Sequence, residues 1–270
     1  MRPLVRVRRA TPFDPGFLAR SPLLWPLAGA ARRLGRLDGF PSHEALRQVF
    51  EGQPPVSFVP AAPRGRRRSS VDVAALYDGR ITLERRVPTR AGCWHDLMNA
   101  LVWGTFPAAK SALHARQHRA IAARVAPGAR ALPPTRTPEL DALALLDEGG
   151  VVVMADDVHG IRAALRERSG ALRASIVTGS AEAVVFGHAI FESLVLGVSP
   201  AAVAAIVLDR GPWIDDGSSR LRRVDAALAA VLADASLLQA PSELCRVDLG
   251  EALPSAPHRA TQMLPGLSSS

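Results

Sequence analysis

Two pairs of side chains in this 270-residue chain are spaced to do chemistry. His95 and Asn99 lie four residues apart inside Trp94-His95-Asp96-Leu97-Met98-Asn99-Ala100-Leu101-Val102-Trp103, and His188 and Glu192 repeat the interval. On a helix, residues four apart share a face. Each segment therefore presents an imidazole beside a polar partner, with Asp96 a quarter-turn away from the first pair. If the two helices face each other, two histidines, two carboxylates, Asn99 and Lys110 form one cluster. Such a cluster can bind a divalent metal or move protons, because imidazole titrates near neutral pH. His95, Asp96, His188 and Glu192 are accordingly the candidate catalytic residues, with His95 or His188 as general acid or base. Taken singly, each histidine also fits a buried, hydrogen-bonded core residue that pins helix packing.

Candidate ligand-binding residues surround these pairs. Lys110 follows Pro107 in the first turn of the next helix, where free backbone N–H groups attract anions. Asn99 can orient a substrate or a carboxylate, and Tyr77, Arg90, Asp147 and Glu148 are candidate outer members. Lys110, Asn99 and Tyr77 are the only residues of their kinds, and all three fall within one 34-residue stretch. His114 and His118 have the spacing of a zinc-protease helix, but Ala115 occupies the place of the general base, so an exposed helix face is expected there. Cys93 reads as a small buried residue rather than a nucleophile. Trp94, Trp103 and Phe106 at helical spacing read as core. The sequence holds no P-loop, no G-x-G-x-x-G, no G-x-S-x-G and no paired C-x-x-C.

Positioning these residues takes a helical scaffold. Helices are expected near 23–35 and 42–51, the second capped by Ser42. Asp78-Gly79 reads as a two-residue hairpin turn ahead of an alternating strand from Ile81 to Arg86. A helix is expected from Trp94 to about Gly104, and a second from Pro107 to about Val125. Thr137 caps a third, ending at Asp147-Glu148-Gly149-Gly150. Val151 to Met154 is a continuous apolar run, the pattern of a strand buried on both faces. Asp156 or Asp157 caps a helix over 158–168. A second strand is expected at Ala174–Val177 and helices at Ala183–Leu196 and Val224–Ala233, with Ala202–Leu208 ambiguous. The fold class is α+β or α/β: a helix-dominated single domain around a small sheet, with a Pro/Arg-rich N-terminal arm. Residues 1–70 form the basic arm, 71–250 the main globular domain and 251–270 a tail.

Composition narrows the function classes. Collagen, a disulfide scaffold and wholesale disorder are excluded, and no apolar run is long enough to cross a membrane. Two cysteines suit a reducing, cytoplasmic setting. The apolar stretch Phe17 to Ala31 is broken by Arg20, Pro22 and Pro26, which makes a poor signal peptide. The net charge of +8 is uneven: residues 1–70 carry 13 Arg against 4 acidic residues, while the remainder is close to neutral. The densest run is Arg64, Arg66, Arg67 and Arg68, a loop able to meet nucleic acid or an acidic partner through counterion release. It lacks interleaved aromatic rings for base stacking. Two readings follow. One is an enzyme or small-ligand protein, of hydrolytic type on a phosphate-bearing substrate. The other is a non-catalytic binding protein that uses the arm.

Tyr77, Val87-Pro88-Thr89-Arg90, Trp94-His95-Asp96, Asn99 to Trp103, Phe106-Pro107 and Lys110 together resemble the central signature of a bacterial family. It is known as Domain of Unknown Function 3025. Phe13-Asp14-Pro15, Phe58-Val59-Pro60, Leu146-Asp147-Glu148 and Phe186-Gly187-His188 with Glu192 resemble its flanking blocks. The chain departs from the family at Asp78, where Glu is more usual, and at His114, where Asn is more usual. His114 is therefore not expected to share a family-wide catalytic role. The resemblance implies a proteobacterial, cytoplasmic protein and brings no activity, cofactor or partner.

Overall fold

The computed structural model describes residues 11–61, 70–198, 203–211 and 219–249. Residues Arg64, Arg66, Arg67 and Arg68, and the expected tail, lie outside these. The described residues form a mixed α+β domain. In chain order the elements are α1 (Ala28–Arg33), β1 (Ser57–Pro60), α2 (Tyr77–Glu84), β2 (Arg86–Thr89), α3 (Trp94–Thr105), α4 (Pro107–Ala122), α5 (Pro138–Gly149), β3 (Gly150–Ala155), α6 (Val158–Glu167), α7 (Ala171–Thr178), β4 (Ala181–Val185), α8 (His188–Val195), β5 (Val203–Asp209), α9 (Ser219–Ala233) and β6 (Cys245–Val247). One sheet has the order β4-β3-β5-β6, with β3 and β5 parallel and both outer strands antiparallel. A separate parallel pair joins β1 to β2.

Local chemistry explains most of these elements. Pro107 opens α4, and Thr137 and Asp157 cap α5 and α6 by accepting from Leu140 N and Gly160 N. Ser42 Oγ accepts from Ala45 N ahead of a 3-10 turn over Ala45–Val49. A second 3-10 stretch, Pro22–Leu27, leads into α1, because Pro26 withholds an N–H that a continuous α-helix needs. Every residue of β3 is buried, as its apolar run implies. Helix α3 buries Trp94 and everything from Leu97 to Trp103, so it is a central helix rather than a surface one.

The stretch read as an arm packs into the same core. Phe17, Leu24, Leu27, Val49 and Phe58 are buried with α3 and the large sheet. Phe13 stacks on Trp94 at 5.4 Å between ring centroids. Arg33 donates to the carbonyls of Val49 and Gly104, tying this segment to the end of α3.

Three expectations fail. The hairpin at Asp78-Gly79 and the strand over 81–86 give way to α2, which runs to Glu84, and Arg86 opens β2. A Cβ on Gly79 would collide with the carbonyls of Val73 and Ala74, so this glycine lets the helix press on the preceding turn rather than making a β-turn. The strand at Ala174–Val177 is instead α7, closed at its two ends by Gly170 and Gly179 with positive φ. The single helix over Ala183–Leu196 divides into β4 and α8. Ala181–Val185 adds to β3 as an antiparallel edge with all five residues buried, and Gly187 breaks the chain before α8. The ambiguous segment becomes β5. In each case a short apolar run fits either period, and its packing partner decides.

Candidate functional site

Helix α3 packs along α8, and α5 packs against both α8 and α4. This places His95 in the first turn of α3, His188 at the first position of α8, and Asp147 and Glu148 at the last turn of α5. Two carboxylates at a helix C-terminus stand against the helix dipole, so they need cations or proton donors nearby. Asp147 Oδ1 accepts from Lys110 Nζ at 2.6 Å and lies 3.7 Å from His188 Nδ1.

The two histidines meet. His95 Nε2 and His188 Nε2 are 3.1 Å apart, with ring planes at 73°. Glu192 Oε2 lies 2.9 Å from His95 Nδ1. Glu192 thus serves the histidine of α3, not the one on its own helix. Glu148 Oε2 lies 3.6 Å from His188 Nε2. His188 is sealed, whereas the side chains of His95, Glu192 and Glu148 are 28%, 27% and 48% exposed, so water reaches the junction from their side. Burial opposes the charge on His95. The hydrogen bond to Glu192 and the fields of Glu148, Glu192 and Asp96 outweigh it, and the imidazole pKa is raised. Burial likewise favours a neutral Asp147, but Lys110 and His188 hold its carboxyl well below the usual range.

The other candidates occupy distinct places. Asp96 accepts from Arg90 N, Nε and a terminal N–H, closing the 90–96 loop. Arg90 is 61% exposed at the side chain and close enough to Glu192 to feel its charge. Asn99 donates to the Tyr77 hydroxyl at 3.2 Å, and its own Oδ1 is buried without a hydrogen-bond partner. Lys110 is fully buried, 5.7 Å from the Trp103 ring centre. The N–H groups of Ala108 and Ala109 at its helix start are taken by the Asp225 carboxylate of α9. No free backbone donors remain there beside Lys110. Trp94, Trp103 and Phe106 are core. Cys93 is half-buried.

The expectation of an exposed face at His114 fails, because that residue is 1% exposed. Its ring stacks on Trp103 at 5.5 Å, and Nδ1 lies 2.8 Å from Asp78 Oδ1. Helix α4 is clasped between α2, α5 and α9, so a sparse apolar stripe did not mark its buried faces. Burial and then the Lys110 charge hold the His114 pKa below the ordinary imidazole value, against the pull of Asp78 and Asp147. The unfolded chain therefore binds this proton more tightly than the folded one. Stability contributed by neutral His114 is complete above about pH 6.5 and is lost as the pH falls toward the lowered value. The unfolding free energy from urea titrations between pH 7.5 and 5 will fall by up to about 1.4 kcal/mol per pH unit on this account. His114→Asn, which keeps a donor for Asp78 without a titrating ring, will flatten the slope. An unchanged slope would show that His114 ionises as freely when folded.

Two residues carry more weight than their sequence signals suggested. Asp147 and Glu148 read as outer members, yet both approach His188. The signal available was a pair of carboxylates ending a helix. Gly187 carried none beyond its place before His188.

The fold and site define an α+β domain with a solvent-reached histidine pair braced by carboxylates. Residues 66–250, more than half of the chain, match the family model described as a protein of unknown function (DUF3025), and the chain belongs to that family. His95, Asp147, Glu148, His188 and Glu192 all lie inside the match, whereas Phe13-Asp14-Pro15 and Phe58-Val59-Pro60 lie before it. Comparison with curated proteins and with solved structures gives no match. No helix among the described residues is long and apolar enough to cross a membrane.

Proposed function

We propose that the protein is a hydrolytic enzyme whose reacting water is activated at the junction of His95 Nε2, His188 Nε2 and the Glu148 carboxylate. One observation carries this reading: three reactive atoms from three separate elements converge at a point open to solvent. Carboxylates brace the imidazoles from behind, Glu192 on His95 and Asp147 near His188. Such bracing sets the tautomer and the direction of an imidazole, which proton transfer and ligation both require. A purely structural pair gains nothing from an exposed edge.

The substrate class follows from the charge around the junction. Lys110 is sealed and neutralised by Asp147, so it does not meet an incoming anion. Arg90 is also paired, with Asp96, but its side chain is 61% exposed and within reach of Glu192's field, so its remaining N–H donors suit the phosphate group of a small substrate.

The test is hydrolysis of p-nitrophenyl phosphate, bis(p-nitrophenyl) phosphate and p-nitrophenyl acetate, each with and without an added divalent cation. Turnover of a phosphate ester is expected. His95→Gln will lower it at least about 100-fold while far-UV circular dichroism and the melting temperature stay close to wild type. Arg90→Ala will raise KM for the phosphate esters more than it lowers kcat. Failure to turn over any of the three, or equal rates for wild type and His95→Gln, would overturn the proposal.

A further inference from the structure

His95 presents Nδ1 to the Glu192 carboxylate, which accepts the ring N–H and leaves a lone pair on Nε2 in the neutral ring. The nearest anion to His188 Nδ1 is again a carboxylate, Asp147 at 3.7 Å, beyond hydrogen-bond distance, and this buried nitrogen has no hydrogen-bond partner. The proton of His188 is thereby favoured on Nδ1 as well. The two Nε2 lone pairs then face each other at 3.1 Å, with the Glu148 oxygen 3.6 Å from one of them. Three electron-rich atoms at this spacing repel unless positive charge lies among them. A single proton can bridge only two of the three. A metal ion satisfies all of them.

We infer that His95, His188 and Glu148 bind one divalent ion of the first-row transition series, zinc-like in its preferences. The inference rests on the reading of this junction as the water-activating site and names what holds the water there. Zinc holds nitrogen ligands at about 2.0–2.1 Å in tetrahedral geometry, which separates two ligand atoms by about 3.3 Å. The observed edges of 3.1 and 3.6 Å lie on either side of that value, and all three ligand atoms fall within 4.8 Å of one another. Two imidazoles and one carboxylate favour such an ion over magnesium or calcium, which take oxygen ligands. With three protein ligands, the position on the exposed side of Glu148 is left for water, as in catalytic rather than structural sites. Glu192 orients His95 in the manner of the carboxylates that stand behind metal-bound imidazoles, and Asp147 lies close enough to do the same for His188.

The full chain, stripped of metal with a chelator, is titrated with Zn2+ by calorimetry and with Co2+ by visible absorption. One ion per chain is expected, with cobalt bands of four-coordinate intensity. His95→Gln, His188→Gln and Glu148→Gln will each weaken binding at least about tenfold, and Glu192→Gln by about 10–100-fold. His118→Gln will leave the affinity unchanged. Glu148 is half-exposed, so its substitution keeps the measurement decisive if a histidine variant fails to fold. Absence of saturable binding, or binding that survives Glu148→Gln and His95→Gln unchanged, would overturn the inference. Hydrolysis by a chain that binds no metal would also overturn it while leaving the proposed activity standing. Metal binding at these residues without hydrolysis would uphold it and remove the proposed activity.

Discussion

Replacing Lys110 by methionine will destabilise the chain by about 3–5 kcal/mol, the usual cost of stripping one partner from a buried ion pair. Lys110 is fully buried, and its Nζ lies 2.6 Å from Asp147 Oδ1, whose side chain is 14% exposed. Methionine fills nearly the same space, so little packing is lost. The loss instead comes from the Asp147 carboxylate, which the low-dielectric interior then holds without its counter-charge. His188 at 3.7 Å offsets part of this, which favours the lower end of the range. For a domain of this size the melting temperature will drop by about 6–20 °C. Adding Asp147→Asn to the methionine variant removes the stranded charge and will restore most of the loss. Urea unfolding at pH 7 checks both, read by far-UV circular dichroism. A loss below 1 kcal/mol, or no recovery in the double variant, would show that Lys110 is a filler rather than a counter-ion.

Gly187→Ala will destabilise the chain by about 1–3 kcal/mol and separate His188 from Glu148. The backbone of Gly187 is ordinary, at φ −63° and ψ 118°, so conformational strain is not the cause. A Cβ there would stand 2.6 Å from the Glu148 carbonyl oxygen and would also collide with Gly150 N. Those atoms are backbone and cannot swing aside. The N–H groups of Phe186 and Gly187 both donate to Gly150 O at 2.9 Å, which binds the two segments together. His188 follows directly on Gly187, so pushing this contact apart shifts an imidazole relative to a carboxylate. A displacement near 1 Å is enough to cost about 100-fold in catalysis. The adjacent glycine provides the contrast. Nothing approaches a Cβ on Gly149 within 4 Å, and it lies in helix α5. Gly149→Ala will therefore be neutral or stabilising by up to about 1 kcal/mol. Denaturant midpoints and the rate on phosphate esters, measured on both variants, separate the cases. Equal behaviour of the two would contradict the role given to Gly187.

The site was legible where a helix carries its own periodicity. His95 and Asn99 on one face, and Glu192 one turn beyond His188, follow from spacing alone. So do the cap at Thr137, a cap at Asp156 or Asp157, Pro107 at a helix start, and the doubly buried strand after Gly150. Each depends on residues within a turn or two of one another, and such interactions are complete in the local sequence. The α2, α7 and β4 segments were not legible. A run such as Ala-Glu-Ala-Val-Val satisfies either period, and only pairing with β3 makes it a strand.

The sequence by itself determined the ingredients: two imidazoles and several carboxylates on helices, within a helix-rich α+β or α/β domain. The tertiary structure decided how they are partnered. Glu192 lies one turn from His188 yet serves His95, because α8 lies along α3 and turns that carboxylate across the interface. Lys110 does not meet solvent anions, because the end of α5 brings Asp147 over it. Asp96 is drawn off by Arg90, and Glu148 is brought in by the glycine contact between Gly150 and Gly187. Apart from Arg90 and Asp96, six positions apart, such pairings join residues tens of positions apart. No spacing rule encodes them, since they follow from which faces the packed helices bury.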